Sequence, residues 1–473
     1  MIPLTLGELA DLVDGRVMDA EPGLVVTGPA FLDSRDPAPG GLFVAFDGEH
    51  VDGHDYAEGA VLGGAAAVLG TRATGAPTVL VADARTALQE LARVVLGRLR
   101  TAPERLRVVA ITGSQGKTSA KDMLARVLSD AGPTVATAGS FNNELGLPLT
   151  VLRATPETRF LVLEMGARGV GHLAELCRIA PPDISLVLNV GRAHIGEFGS
   201  QEQIALAKGE IVDALDPASG TAVLNADDPR VLAMAARTRA DVVTFGLAAR
   251  TDVRLGELTT DDLGRPSFDL TVGAETERID LRLLGEHQAT NAAATAGVAH
   301  AAGLPLEVVA SSLRAIDRLS RWRMEVHERA DGLVVVNDAY NANPDSMAAA
   351  LRTLARMGER GSRRTVAVLG EMRELGESSE AEHRAVGRLA HDLGIDEVVV
   401  VGAGASAIHD ALVAARGEDG TTRRVGTVEQ AGDWVRENVA SPDVVLVKAS
   451  RSGRLERVAE MLVADSPGEE HRG

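Results

Sequence analysis

The stretch that most constrains the fold is Arg107-Val108-Val109-Ala110-Ile111-Thr112, followed at once by Gly113-Ser114-Gln115-Gly116-Lys117-Thr118-Ser119. The first six residues read as a buried strand. Beyond the glycines, Met123, Leu124, Val127 and Leu128 recur at helical spacing, which predicts an amphipathic helix over residues 121–131. Strand, glycine-bearing turn and helix in that order make a βα unit, the building block of an α/β fold with a parallel sheet. Gly113 and Gly116 let backbone amides approach an anion at the helix N-terminus, so residues 113–119 form a candidate nucleotide-phosphate loop. In that reading Lys117 serves the β/γ-phosphates and the Thr118 hydroxyl serves Mg2+. The standard spacing would put another glycine where Ile111 stands. An ordinary Gly-Lys turn is the competing reading, but it leaves the clustering of Gly116, Lys117 and Thr118 unexplained.

Further apolar runs divide the chain. Residues 41–46, 65–69 and 78–83 read as strands of a small α/β unit ending near residue 100. Runs at 160–163, 184–188, 221–224 and 242–245 extend the parallel sheet, and the alternation from 252 to 284 reads as an antiparallel appendage. A third α/β unit has strands at 333–336, 365–369, 398–401 and 444–447. The expected domains are 1–100, 101–315 and 316–473, with the tail after Met461 lacking a packing face and frayed.

Composition narrows the function classes. A net charge of -19 and 3% aromatic residues disfavour an aromatic-stacking nucleic-acid surface. The single Cys177 excludes an intrachain disulfide and reads as core filler. Neither a leader pattern at Met1-Ile2-Pro3-Leu4-Thr5 nor an apolar run of membrane-spanning length is evident, so a cytoplasmic protein without membrane insertion is expected.

Glu164, after the 160–163 strand, stands where open α/β sheets hold ligands and is a candidate magnesium ligand, whereas Asp183, between Pro182 and Ile184, reads as a turn residue. His194 follows another strand, and Lys208 lies in a small, apolar helical stretch. Protonated lysine cannot itself ligate metal.

Taken together, these residues resemble the Mur ligase superfamily of ATP-dependent amide ligases over nearly the whole chain. The resemblance implies a UDP-substrate domain, a central P-loop-type ATPase domain and a C-terminal Rossmann-like domain. It implies that Lys208 is carbamylated and, with His194, organises a second Mg2+, while Thr118 and Glu164 serve the nucleotide-bound one. Phe141-Asn142-Asn143-Glu144-Leu145-Gly146 is similar to the substrate-side loop of the dipeptide-adding branch, which places Asn142 and Asn143 on substrate; on its own the pair is an Asn-rich turn. Ser34 and Arg35, in Asp33-Ser34-Arg35, are implied contacts to the uridine diphosphate, although surface turns fit them equally. His287 and Asn291 are implied to approach nucleotide, and their i,i+4 spacing allows one shared helical face. The resemblance assigns Arg323 to the γ-phosphate and Asp338 to ribose or hinge contacts. Asn343-Pro344-Asp345-Ser346 is similar to the dipeptide-adding branch and differs from the Asp-Asn-Pro-Arg of the diaminopimelate-adding one, which makes Asn343 and Ser346 substrate contacts. Glu371 is a candidate for closure contacts and Lys448, Ser450 and Arg451 for substrate or phosphate; a solvated rim is the competing reading.

The implied reaction joins D-alanyl-D-alanine to UDP-N-acetylmuramoyl-tripeptide through an acyl-phosphate, with ATP and Mg2+. Lys117, Glu164, His194, Lys208 and Arg323 form the implied catalytic set, in a monomer. The alternatives are a ligase adding the third amino acid, a folylpolyglutamate synthetase and a nucleotide-dependent switch without ligase activity.

Overall fold

Alternate residues of the strand Arg107–Thr112 enter different cores. Val109 and Ile111 pack with Met123, Leu124, Val127 and Leu128 of the helix Lys117–Ala131, while Val108 and Ala110 join Leu147, Leu161 and Leu163 on the opposite face. Burial on both faces is why the parallel strands read as continuous apolar runs. The computed structural model describes residues 1–48, 51–101, 106–139, 141–191, 195–417 and 420–464.

The central sheet has 10 strands, and Arg107–Thr112 lies between Ile184–Val187 and Phe160–Glu164, both parallel to it. The chain runs from this strand to Thr134–Ala136 on one side and then crosses from Phe160–Glu164 to Ile184–Val187 on the other, so its C-terminal end sits where an open sheet forms a crevice. The antiparallel appendage is present as Pro266–Val272 paired with Glu275–Asp280. A 5-stranded sheet precedes it and a 6-stranded sheet follows, the latter parallel except for the edge strand Glu325–Glu328.

Several expectations shift. The loop helix begins at Lys117, four residues before the expected start, because Gly116 takes φ 80 and turns the chain directly into the first helical turn. Glu164 is the last residue of its strand rather than the residue after it. The helix Glu456–Ala464 runs past Met461 and buries Leu462, so packing continues there; residues 465–473 lie outside the described residues.

The units are fastened to one another. Gln89 in the helix Ala84–Leu99 donates to the Glu144 carbonyl at 3.1 Å, and Arg100 pairs with Asp183 at 2.9 Å. The appendage reaches the third unit through Arg265–Glu328 at 2.5 Å. Cys177 is buried, and burial followed by Glu210 pushes its thiol up to about 12, so it is an inert filler. Among the described residues no helix is long and apolar enough to cross a membrane.

Candidate functional site

Close packing dictates both loop glycines. A Cβ at Gly113 would lie 2.9 Å from Leu188 Cβ, and one at Gly116 would lie 2.8 Å from Asn291 Oδ1. Lys117 Nζ donates to the Gly113 carbonyl at 2.8 Å, closing the loop on itself. The loop's far side is held by a residue that motif reading missed. Asn189 Oδ1 accepts the amides of Ser114 and Gln115, each at 3.0 Å, and its Nδ2 donates to the Gln115 carbonyl at 3.2 Å. Ser114 Oγ accepts the Gly191 amide at 2.9 Å. Thr118 and Ser119 are buried in the first helical turn, whose amides have no carbonyl one turn back.

Glu164, 3% exposed, reaches the loop from the neighbouring strand. Its Oε2 accepts the Thr118 hydroxyl and its Oε1 accepts Asn142 Nδ2, each at 2.9 Å, while its amide donates to Thr137 Oγ1 at 3.0 Å. Among the described residues no three His, Cys, Asp or Glu side chains gather into a metal cluster. One carboxylate and one hydroxyl are hard oxygen donors that suit Mg2+ completed by phosphate oxygens and water. His194 lies outside the described residues.

Around this carboxylate the field is mainly cationic. Burial lowers the pKa of Lys117, with Glu164 opposing and Arg323 adding to the effect. Lys208, on the helix Gln201–Asp213 and 5% exposed, is held well below the usual lysine range by burial and by Lys117. Arg323 comes from the third unit, stacks over Tyr340 at 4.2 Å and keeps a buried Nε without a partner among the described residues. The charges of Lys117 and Arg323 in a partly desolvated crevice fit a polyphosphate.

The neighbouring helix His287–Ala301 turns its two candidates to different tasks. Asn291 abuts Gly116 and donates to Gln288 Oε1 at 2.9 Å. Burial lowers the His287 pKa, with Asp338 opposing, Lys448 adding and Glu286 opposing, so this histidine faces the third unit. Asp338 pairs with Lys448 at 2.5 Å and accepts the Met324 amide at 3.1 Å; Lys448 also donates to the Asn341 carbonyl at 3.0 Å. Lys448 is only 2% exposed, so its ammonium is an internal partner of Asp338 rather than part of a solvated rim.

A cavity of about 230 Å³ in the third unit brings Asn343, Ser450 and Arg451 together with Asn341 and Arg373. Arg451 lies over the Trp322 ring at 4.1 Å. Ser450 Oγ accepts the Arg373 amide at 3.1 Å, and its own amide donates to the Glu371 carbonyl at 3.0 Å. Ser346 does not line this space. It forms a capping box with Asn343 at the start of the helix Pro344–Gly361. Asn143 turns the chain into the helix Gly146–Val151, its Oδ1 accepting the Gly146 amide at 2.9 Å. In the first unit Arg35 is exposed and forks onto Asp33 at 2.8 and 2.6 Å, which pulls the Asp33 carboxyl down to about 2; Ser34 is half-buried beside them.

Three family descriptions match in succession: Mur ligase family, catalytic domain, over residues 31–101; Mur ligase middle domain over 111–299; and Mur ligase, glutamate ligase domain, over 322–451. The chain is 45% identical to UDP-N-acetylmuramoyl-tripeptide–D-alanyl-D-alanine ligase of Mycobacterium tuberculosis over 505 residues, covering 98% of each. Its fold is similar to MurF from Acinetobacter baumannii, with a TM-score of 0.85 and 30% identity over 98% of this chain and 99% of that one. It is also similar to MurF ligase from Thermotoga maritima in complex with ADP, with a TM-score of 0.79 and 31% identity over 93% and 98% of the two chains.

Proposed function

We propose, because this chain belongs to the Mur ligase family, that it is an ATP-dependent ligase adding D-alanyl-D-alanine to UDP-N-acetylmuramoyl-tripeptide to form the pentapeptide. The observation that carries the chemistry is the glycine-bearing loop that opens the helix Lys117–Ala131, with the Thr118 hydroxyl on Glu164 Oε2 at 2.9 Å.

The substrate carboxylate attacks the γ-phosphorus of ATP, ADP departs, and an acyl-phosphate remains. The amine of the dipeptide then attacks the acyl carbon, and phosphate leaves as the amide forms. Lys117 and Arg323 stabilise charge on the transferring phosphoryl group, and Arg323 does so from a separate unit, so closure can couple charge stabilisation to exclusion of water. Thr118 and Glu164 would hold Mg2+, which when bound would supply charge screening for the phosphates. Lys208, whose lowered pKa favours the free amine, would on carbamylation add carbon dioxide, lose a proton and present anionic oxygen donors. Residues 1–100 serve the UDP end, 101–315 the nucleotide and 316–473 the dipeptide, in a cytoplasmic monomer. Asn142, Ser34 and Arg35 are assigned to the UDP-linked substrate, and Asn343, Ser450 and Arg451 to the dipeptide.

The deciding experiment supplies purified protein with ATP, Mg2+, UDP-N-acetylmuramoyl-tripeptide and D-alanyl-D-alanine, and follows products by mass spectrometry. One new amide with one ADP and one phosphate is expected. Condensation of a single amino acid with the dipeptide precursor instead would reassign the chain within the family. A carbon-dioxide-sensitive mass increase on Lys208 is expected in the same protein, and full activity with unmodified Lys208 rules the carbamate out.

A further inference from the structure

In a phosphate loop every forward-facing amide competes for the same anion, so it matters which amides already have acceptors. Those of Ser114 and Gln115 do, since both end on the single oxygen Asn189 Oδ1 at 3.0 Å. The Ser114 amide is shared with the Asn189 carbonyl at 3.1 Å, and the carboxamide nitrogen of Asn189 returns a bond to the Gln115 carbonyl. Asn189 follows the strand Ile184–Val187 and is about half-buried, so the clasp is anchored in the sheet rather than in the loop. Beyond the clasp, the amides of Lys117, Thr118 and Ser119 open the helix Lys117–Ala131 and have no intrahelical acceptor.

We propose that Asn189 is a positioning residue for the nucleotide. Its side chain turns the amides of Ser114 and Gln115 sideways and thereby confines the phosphate-facing donors to the turn at Gly116 and the first residues of the helix. A loop already tied down also loses less conformational freedom when the anion arrives, which favours binding without any contact between Asn189 and ligand. The inference rests on reading this loop as the nucleotide site.

The test compares the full-length protein with Asn189→Ala. Calorimetry with Mg2+–ADP should give a dissociation constant larger by on the order of tenfold, because the Gln115 amide loses its acceptor, the Ser114 amide keeps only the Asn189 carbonyl, and the loop must be ordered by the ligand. The KM for ATP should rise with it, while kcat and the KM for the UDP-linked substrate stay at wild-type values. A fall in kcat with an unchanged KM for ATP, or equal weakening of both substrates, overturns the role, since a general structural defect would move both. A second measurement needs no variant: a structure of the wild-type protein with a non-hydrolysable ATP analogue should keep both amides on Asn189. Finding them on phosphate oxygens overturns the inference. Equal Mg2+–ADP binding by wild type and variant removes the role of Asn189 alone, whereas no binding by the wild-type protein removes the nucleotide-site reading and this inference together.

Discussion

The Thr118 hydroxyl donates to Glu164 Oε2 at 2.9 Å, joining the first turn of the loop helix to the end of the adjacent strand. With Asn142 on the other oxygen, the carboxylate is oriented from two sides before any ligand arrives. Glutamine at this position would keep the shape but remove the charge and turn an NH2 group toward one of the two donors. We expect Glu164→Gln to lower kcat by about a hundredfold or more and to raise the Mg2+ concentration needed for half-maximal rate. Initial rates across a Mg2+ titration measure both. A magnesium dependence identical to wild type would remove Glu164 from the metal site.

Lys448 and Asp338 make a different kind of pair, with side chains 2% and 13% exposed. Removing one member of such a pair strands the other charge, at about 3–5 kcal/mol, whereas replacing both by groups of similar shape is far less damaging. Lys448→Met should therefore lower the urea midpoint strongly, and the double variant Asp338→Asn with Lys448→Met should recover much of the loss. If Lys448→Met unfolds at the wild-type midpoint, the pair contributes nothing to the third unit.

His287 gives the fold a pH dependence whose sign follows from burial. Its folded pKa is lowered below the ordinary value of 6.5, chiefly by desolvation, despite the opposing carboxylates of Asp338 and Glu286. The unfolded chain therefore takes up a proton first as pH falls, and stability declines from about pH 6.5 down to the lowered folded value. Above that window both states are neutral and the contribution is complete. Urea unfolding between pH 8 and pH 5 should show a weaker decline for His287→Gln than for wild type. An identical decline would mean that other groups carry the dependence.

How much of this was legible in advance depended on whether the relevant partners were near in sequence. Thr365–Leu369 coincides with its expected strand because all five residues are buried and the run has clear polar bounds. Thr134–Ala136 was not foreseen, since three half-buried residues offer no period to read, and Glu325–Glu328 was hidden by its charges at a sheet edge. Lys117 and Thr118 stand in one motif, but Asn189 grips Gln115 from 74 positions away and nothing in its own neighbourhood marks it. Lys448 finds Asp338 110 positions away, so a rim lysine and a buried ion-pair partner look alike until the two strands are laid side by side.

Asn343 allows a structural and a substrate role to be separated by one pair of variants. Its Oδ1 accepts the Ser346 amide at 2.9 Å, and Ser346 Oγ accepts the Asn343 amide at 3.0 Å, so the residue caps the helix Pro344–Gly361 while also lining the third-unit cavity. Aspartate caps a helix about as well as asparagine, and alanine does not, at a loss of about 1 kcal/mol. Asn343→Ala should therefore lower the unfolding midpoint, and Asn343→Asp should leave it in place. Aspartate nevertheless removes two donor hydrogens from the cavity and adds a negative charge that repels the dipeptide carboxylate. If the cavity receives D-alanyl-D-alanine, the aspartate variant should raise the KM for the dipeptide with the KM for ATP unchanged. A normal dipeptide KM in both variants would leave Asn343 as a helix cap and place the dipeptide elsewhere.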